Sequence, residues 1–195
     1  MVAVTGASGA IYAQRFLQRA VTLYDEVLLL LSDQAIQVAQ TELGVAPQRD
    51  AFTTQAWLGD DFPNLKLLDH KSFYNPPASG SFRHDGMVVL PCSMGTAGRI
   101  AAGVSDDLVT RSADVCLKEG RRLILVPREM PWSLIMLRNL TTLAEAGATI
   151  VPACPAWYTN PTSLEDLADT VVARVLQVLG APQTIQKQWM REEEA

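Results

Sequence analysis

The chain has 195 residues, enough for one domain with a real core. Hydrophobic residues make up 48% and charged residues 19%, an ordinary globular balance, and the formal net charge of -5 leaves no global basic field to attract nucleic acid. Its three cysteines, Cys92, Cys116 and Cys154, form no C-x-x-C pair and read as small buried hydrophobes in a reducing compartment. The longest apolar run, Val27 to Leu31, is too short to span a bilayer, and no basic-then-apolar leader opens the chain. These features predict a cytoplasmic protein without a membrane segment.

Val2 to Thr5 is a short apolar run ending in the turn Gly6-Ala7-Ser8-Gly9, after which Ile11, Phe16, Leu17 and Ala20 share a helical face. The run is short at its start, so a beginning upstream of Met1 stays open. Glu26 to Leu31 predicts a strand covered on both faces, and Ser32 or Asp33 can cap a helix to about Leu43. Residues 44–82, with scattered Pro, Asp and Asn and little periodicity, predict a long loop holding short elements. Gly86 to Pro91 predicts a strand, Cys92 to Thr96 a turn into a helix through Ala102, and Leu108 to Lys118 a further helix. Arg122 to Pro127 is a fourth strand, Met136 to Ala146 a helix, Ala148 to Pro152 a fifth strand, and Asp166 to Leu179 the last helix. The charge run Arg191 to Glu194 reads as a solvated tail.

Strands alternating with helices predict an α/β fold: a Rossmann-like (flavodoxin-like) three-layer αβα sandwich with a mostly parallel sheet, occupying residues 1–180 as a single domain, with 181–195 as a tail. Such sheets bind ligands beyond the carboxyl ends of their strands. Ser8, Ser32, Ser93, Arg128 and Tyr158 all follow a predicted strand. The turn Gly6 to Gly9 offers amide N–H groups at a helix start, which suits a phosphate or an ordinary tight turn. G-x-G-x-x-G is absent, although Asp33 lies at the distance of a ribose-binding acid. Ser93-Met94-Gly95-Thr96 is a second turn of the same kind. Arg174 stands in the apolar stretch Val171 to Leu176, where it must reach the surface or meet an anion. Arg128-Glu129 would serve equally as a structural ion pair.

TGASGAIY (Thr5 to Tyr12), LPCSMGT (Leu90 to Thr96), RSADVCLKE (Arg111 to Glu119), LVPREMP (Leu125 to Pro131) and PACPAWYTNP (Pro152 to Pro161), in this order, resemble the UbiX family of flavin prenyltransferases over nearly the whole chain. The resemblance implies transfer of a dimethylallyl group from dimethylallyl monophosphate to reduced FMN. The prenylated FMN so made is the cofactor of a separate UbiD-type decarboxylase. It also implies a homododecamer with active sites at subunit boundaries, and chemistry without a metal. By position, Gly6, Ala7, Ser8, Ser32, Ser93, Met94, Gly95, Thr96 and Arg128 would contact FMN. Tyr158, Arg174, Arg111 and Lys118 would contact the donor phosphate, with Trp189 as an aromatic near the C-terminus. Ser8, Glu42, Glu129 and Lys118 would be catalytic. Arginine and lysine stabilise charge growing on a departing phosphate, and Trp157, Tyr158 and Trp189 offer faces to an allyl cation, although core packing is the ordinary role expected of Trp157. The family often has histidine where this chain has Met136, and Asp60 to Asn75 matches no family segment. Two other readings stay open: a flavin-dependent cysteine decarboxylase of the same fold, and a non-enzymatic flavin carrier. The first looks for a catalytic histidine and a PASANT segment, where this chain has His70, His84 and Pro77-Ala78-Ser79-Gly80-Ser81.

Overall fold

In the computed structural model, which describes residues 1–45 and 51–185, strand residues alternate strictly between two cores. Val2 and Val4, Val27, Leu29 and Leu31, and Ile124 and Val126 face one side of the sheet. Ala3, Leu30, Leu123 and Leu125 face the other. This is the period of two that a pleated strand imposes, with both faces apolar because both are covered. The strands are β1 (Val2–Val4), β2 (Val27–Leu31), β3 (Leu65–Leu68), β4 (Met87–Cys92), β5 (Leu123–Pro127) and β6 (Thr149–Ile150). All pairings are parallel, in the order β3-β2-β1-β4-β5-β6. The expected mostly parallel sheet is therefore wholly parallel among the described residues.

The helices are α1 (Ala10–Leu23), α2 (Asp33–Leu43), α3 (Thr54–Leu58), α4 (Met94–Ala101), α5 (Leu108–Lys118), α6 (Leu134–Glu145) and α7 (Leu164–Leu179). Phe16 and Leu17 of α1, Trp57 of α3 and Val172 and Leu176 of α7 pack on the first face. Ala97 of α4, Leu108 and Ala113 of α5 and Leu143 of α6 pack on the second. The result is three layers, as the alternation predicts. Capping boxes start α5 (Asp107 with Thr110) and α7 (Ser163 with Asp166), and the Ser32 hydroxyl accepts from Ala35 N to start α2.

Short elements do interrupt the loop expected over 44–82. This stretch supplies α3 and an edge strand, β3, paired to β2 from Val27↔Leu65 to Leu30↔Leu68. Only Leu65 of β3 is buried, so the strand carries no two-faced apolar signature. Cys92 and Cys116 are buried as expected, but Cys154 is exposed, because it lies in the loop after β6 rather than in an element. Trp157, expected in the core, is 71% exposed in the same loop. No described helix is long and apolar enough to cross a membrane.

The connections of β1 and β4 leave in opposite directions along the sheet, so the loops after these strands diverge and open a crevice at the carboxyl edge. The β1–α1 loop closes tightly against α2: a Cβ on Gly6 would overlap the Gln34 Cβ. We predict that Gly6→Ala costs about 1–3 kcal/mol, the usual range for forced overpacking. Urea unfolding checks this, and an unchanged midpoint would contradict the packing.

Candidate active site

Four loops meet at the crevice. Thr5, directly after β1, is buried and receives Ser93 N–H at its hydroxyl oxygen (2.8 Å) while donating that hydroxyl to the Pro91 carbonyl (2.9 Å). Thr5 N–H donates to the same carbonyl (3.2 Å). The β1 and β4 loops are thus bolted together by one side chain that sequence reasoning missed, since a threonine beside a glycine-rich turn carries no distinguishing signal. Arg128, after β5, donates its Nε to the Ser8 carbonyl (3.1 Å) and its N–H to the Cys92 carbonyl (3.3 Å). Ser32, after β2, donates its N–H to the Val4 carbonyl (3.1 Å). The structure therefore brings Gly6, Ala7, Ser8, Ser32, Ser93 to Thr96 and Arg128 to one edge.

The two glycine-rich turns differ in what they offer an anion. At the start of α1, the Glu42 carboxylate from the end of α2 already accepts Gly9 N–H (2.9 Å) and Ala10 N–H (2.7 Å). The first turn, whose N–H groups suited either a phosphate or an ordinary tight turn, has two of them engaged by the protein's own carboxylate. Burial pushes the Glu42 carboxyl up, but the Ser8 side chain, the Ala10 and Gly9 amides and the nearby Arg128 outweigh it and hold it below its ordinary value. At the start of α4, Ser93 caps the helix by accepting Thr96 N–H (3.3 Å), and its hydroxyl lies 3.0 Å from the Thr96 hydroxyl. A Cβ on Gly95 would meet nothing within 4 Å, so the first turn of α4 opens to the crevice. Met94 and Thr96, both named as flavin contacts by the motifs, are buried. Hydroxyl, amide and guanidinium donors around an open helix start are the donor set a phosphorylated ligand needs.

Glu129 is exposed beside Arg128, and its Oε1 accepts Met130 N–H (3.0 Å). The Arg128 guanidinium turns to Ser8 instead, so the two residues are used separately rather than on each other. Ala156 N–H donates to the Thr170 hydroxyl (3.0 Å), tying the loop that carries Tyr158 to α7 one helical turn before Arg174. Arg174 is exposed and donates to Gln177 (3.3 Å), so it reaches the surface from its apolar stretch.

Arg111 and Lys118 lie elsewhere. Seven residues apart, they face the segment around Pro76–Ala78 from one side of α5. Arg111 donates to the Ala78 carbonyl (3.0 Å) and to Asp114 (2.9 Å), and Lys118 pairs with Glu119. A Cβ on Gly80 would overlap the Glu119 carboxylate, and Arg121 donates to the Phe82 carbonyl (2.6 Å). This packed PPASGS stretch was read only as a departure from PASANT, and its role as the wall beside Lys118 was missed. Lys118 precedes β5 and Arg128 follows it, so the length of that strand, roughly 16 Å, separates them within one chain. Trp189 lies outside the described residues.

A cavity of about 320 Å³ opens at the opposite, amino edge, lined by Phe16, Tyr24, Phe82, His84 and Leu179 among others. It contains none of these loops, and donor chemistry rather than void volume marks the carboxyl edge as the site. His84 lies at that amino edge, bonded to the Gly86 carbonyl (3.1 Å), and His70 is buried, so neither imidazole is presented to a substrate in the crevice. Among the described residues, no group of three or more His, Cys, Asp or Glu side chains could hold a metal ion.

The flavoprotein family model matches residues 1–176. Flavin prenyltransferase UbiX of Pseudomonas aeruginosa is 45% identical over 193 residues, covering 96% of this chain and 92% of the relative. The chain belongs to the UbiX family of flavin prenyltransferases. A solved UbiX enzyme, AnUbiX, in complex with FMN and dimethylallyl pyrophosphate superposes with a TM-score of 0.86 at 38% identity, covering 98% of this chain and 97% of that one. A dodecameric FMN-dependent UbiX-like decarboxylase from Escherichia coli O157:H7 superposes with a TM-score of 0.83 at 37% identity, covering 98% and 100%. The UbiX family assignment and the parallel sheet agree with what the ordered motifs and the alternation of elements imply.

Because the folded Glu42 carboxyl lies below its unfolded value, its stabilisation is complete above the ordinary carboxylate range and is lost as pH falls through the folded value. We predict that Glu42→Gln is less stable than wild type by about 0.5–1 kcal/mol at neutral pH, the worth of a solvent-screened charge at a helix end. Denaturation series across pH should show this gap closing on acidification. A gap independent of pH would contradict the capping role.

Proposed function

We propose that this chain transfers a dimethylallyl group from dimethylallyl monophosphate to reduced FMN, releasing prenylated FMN. One observation carries the reading: the molecule builds one anion cradle at the β1/β4 crevice and keeps a second set of cationic residues on separate surfaces. The first suits the flavin phosphate, through Ser93, the first turn of α4, Ser32 and Arg128. The second, Tyr158 with Arg174 and Arg111 with Lys118, suits a donor phosphate only when two copies meet. We therefore propose a homododecamer whose sites join Arg111 and Lys118 of one subunit to Tyr158 and Arg174 of another, with Trp189 as a further substrate contact. The complex of the related UbiX enzyme with FMN and dimethylallyl pyrophosphate supports two anions at one site, and the dodecameric relative supports assembly. Residues 1–180 act as the flavin-binding domain and 181–195 as a tail.

The reduced flavin supplies the nucleophile. Lys118, Arg111 and Arg174 neutralise charge growing on the departing phosphate, so no metal is needed in this scheme. Glu129, exposed at the mouth and anchored by Met130 N–H, moves a proton between ring and leaving phosphate. Glu42, held ionised against α1, polarises the Ser8 hydroxyl, which orients the reacting nitrogen. The product passes to a UbiD-type decarboxylase. The free cysteines Cys92, Cys116 and Cys154 suit a cytoplasmic setting.

Incubation with reduced FMN and either dimethylallyl ester, followed by product mass, tests the reaction. A flavin heavier by one prenyl unit, formed fastest from the monophosphate, is expected. Unchanged FMN would favour a flavin carrier, and release of carbon dioxide from a cysteinyl peptide would favour the decarboxylase. Glu129→Gln should lower turnover by about 10²-fold or more while FMN stays bound. Mixing separately inactive Lys118→Met and Arg174→Met chains during refolding should restore a fraction of activity. No recovery would contradict a site shared between subunits.

A further inference from the structure

Arg99, in the last turn of α4, was assigned no role by its sequence position, yet its side chain folds back along the helix to the flavin-phosphate turn. One guanidinium nitrogen donates to the Thr96 hydroxyl oxygen (3.4 Å). The other donates to Asp106 (2.5 Å) and Asp107 (2.8 Å), and Asp107 is itself fixed as the N-cap of α5. The guanidinium is thus held by two carboxylates.

A guanidinium only donates, so the Thr96 oxygen must accept from it. A cationic donor on that oxygen makes the Thr96 O–H a stronger donor and a poorer second acceptor. With Arg99 on that oxygen, the Thr96 proton would point to the Ser93 oxygen, 3.0 Å away. The Ser93 oxygen also accepts Thr96 N–H (3.3 Å). With both acceptor positions of Ser93 filled, its own O–H is left to donate outward. Thr96 is only 3% exposed and cannot reach a ligand itself, whereas Ser93 is half-buried at the crevice. The buried hydroxyl has a use only as the middle of a chain.

We propose that Arg99 is a positioning residue that sets the direction of the Thr96-to-Ser93 hydroxyl chain, so that Ser93 presents its proton to the flavin phosphate. This rests on the reading of Ser93 as a phosphate contact. Without Arg99, the Ser93 hydroxyl satisfies itself by donating to Thr96, and the phosphate loses a donor.

The test compares FMN with riboflavin, which lacks the phosphate, by quenching of flavin fluorescence. Arg99→Lys keeps a cation between Asp106 and Asp107 but loses the planar fork that also reaches Thr96. It should weaken FMN binding about tenfold, the worth of one charge-assisted hydrogen bond, with riboflavin affinity and the unfolding midpoint unchanged. Arg99→Met should weaken FMN at least as much. The double variant Arg99→Lys/Ser93→Ala should bind FMN no worse than Ser93→Ala alone, because both act through one proton. Equal loss of FMN and riboflavin would reduce Arg99 to a structural clamp and overturn the proposal. So would unchanged FMN affinity in Arg99→Lys beside a clear loss in Ser93→Ala. If Ser93→Ala itself leaves FMN affinity unchanged, the reading of the phosphate site falls, and this inference with it.

Discussion

Thr5 ties together two loops that the sheet drives apart. The strand order sends the chain one way from β1 and the other way from β4, and beyond the paired strands a backbone bond from Thr5 N–H to the Pro91 carbonyl holds the two ends together. The Thr5 hydroxyl does so by accepting from Ser93 N–H and donating to the Pro91 carbonyl, in a position that is 2% exposed. Arg128 adds a second tie from β5 to the Ser8 carbonyl. The crevice is thereby a fixed shape whose walls are a helix start, a serine and an arginine. A ligand phosphate entering it meets donors already aimed.

The same edge shows how a fold with several helix starts avoids offering several equivalent anion sites. Each helix start leaves amide donors to be satisfied. At α1 the donors go to Glu42, which links the end of α2 back to the first turn. At α4 the cap is short, Gly95 leaves space, and Ser93 remains at the mouth. In the proposed reading, one turn is an electrostatic support for Ser8 and the other the phosphate receptor. The cations of α5 face a different surface, which is why the proposed scheme divides the donor-phosphate chemistry between copies of the chain. In that scheme, an unassembled subunit would bind flavin without turning it over.

Much of the architecture could be read from the residues because both faces of the sheet are buried. β2, β4 and β5 are unbroken apolar runs, and α5 and α7 announce themselves through Asp107–Thr110 and Ser163–Asp166. β3 escaped notice because an edge strand needs little apolar surface: Lys66 is exposed and Leu67 and Leu68 are half-buried. Residue type alone also misplaced Cys154 and Trp157, both apolar by class and both on a loop. The site residues carried by the motifs were legible as positions but not as distances. The predicted strand Arg122 to Pro127 already lay between Lys118 and Arg128, but residue spacing carried no measure of the distance it imposes. Glu42 and Gly9 are 33 residues apart, a contact that leaves no periodic trace; Arg99 and Thr96 are helix neighbours three residues apart, but that spacing alone gives no sign of the Asp106 and Asp107 carboxylates that hold the guanidinium.

The central claim is that the flavin phosphate sits at the start of α4 and not at the start of α1. A crystal structure with FMN bound tests it most directly. The account predicts the phosphorus atom within hydrogen-bonding reach of the Ser93 hydroxyl and the first amides of α4, with Glu42 still bonded to Gly9 and Ala10. A phosphate seated on the Gly9 and Ala10 amides, with Glu42 displaced, would contradict it.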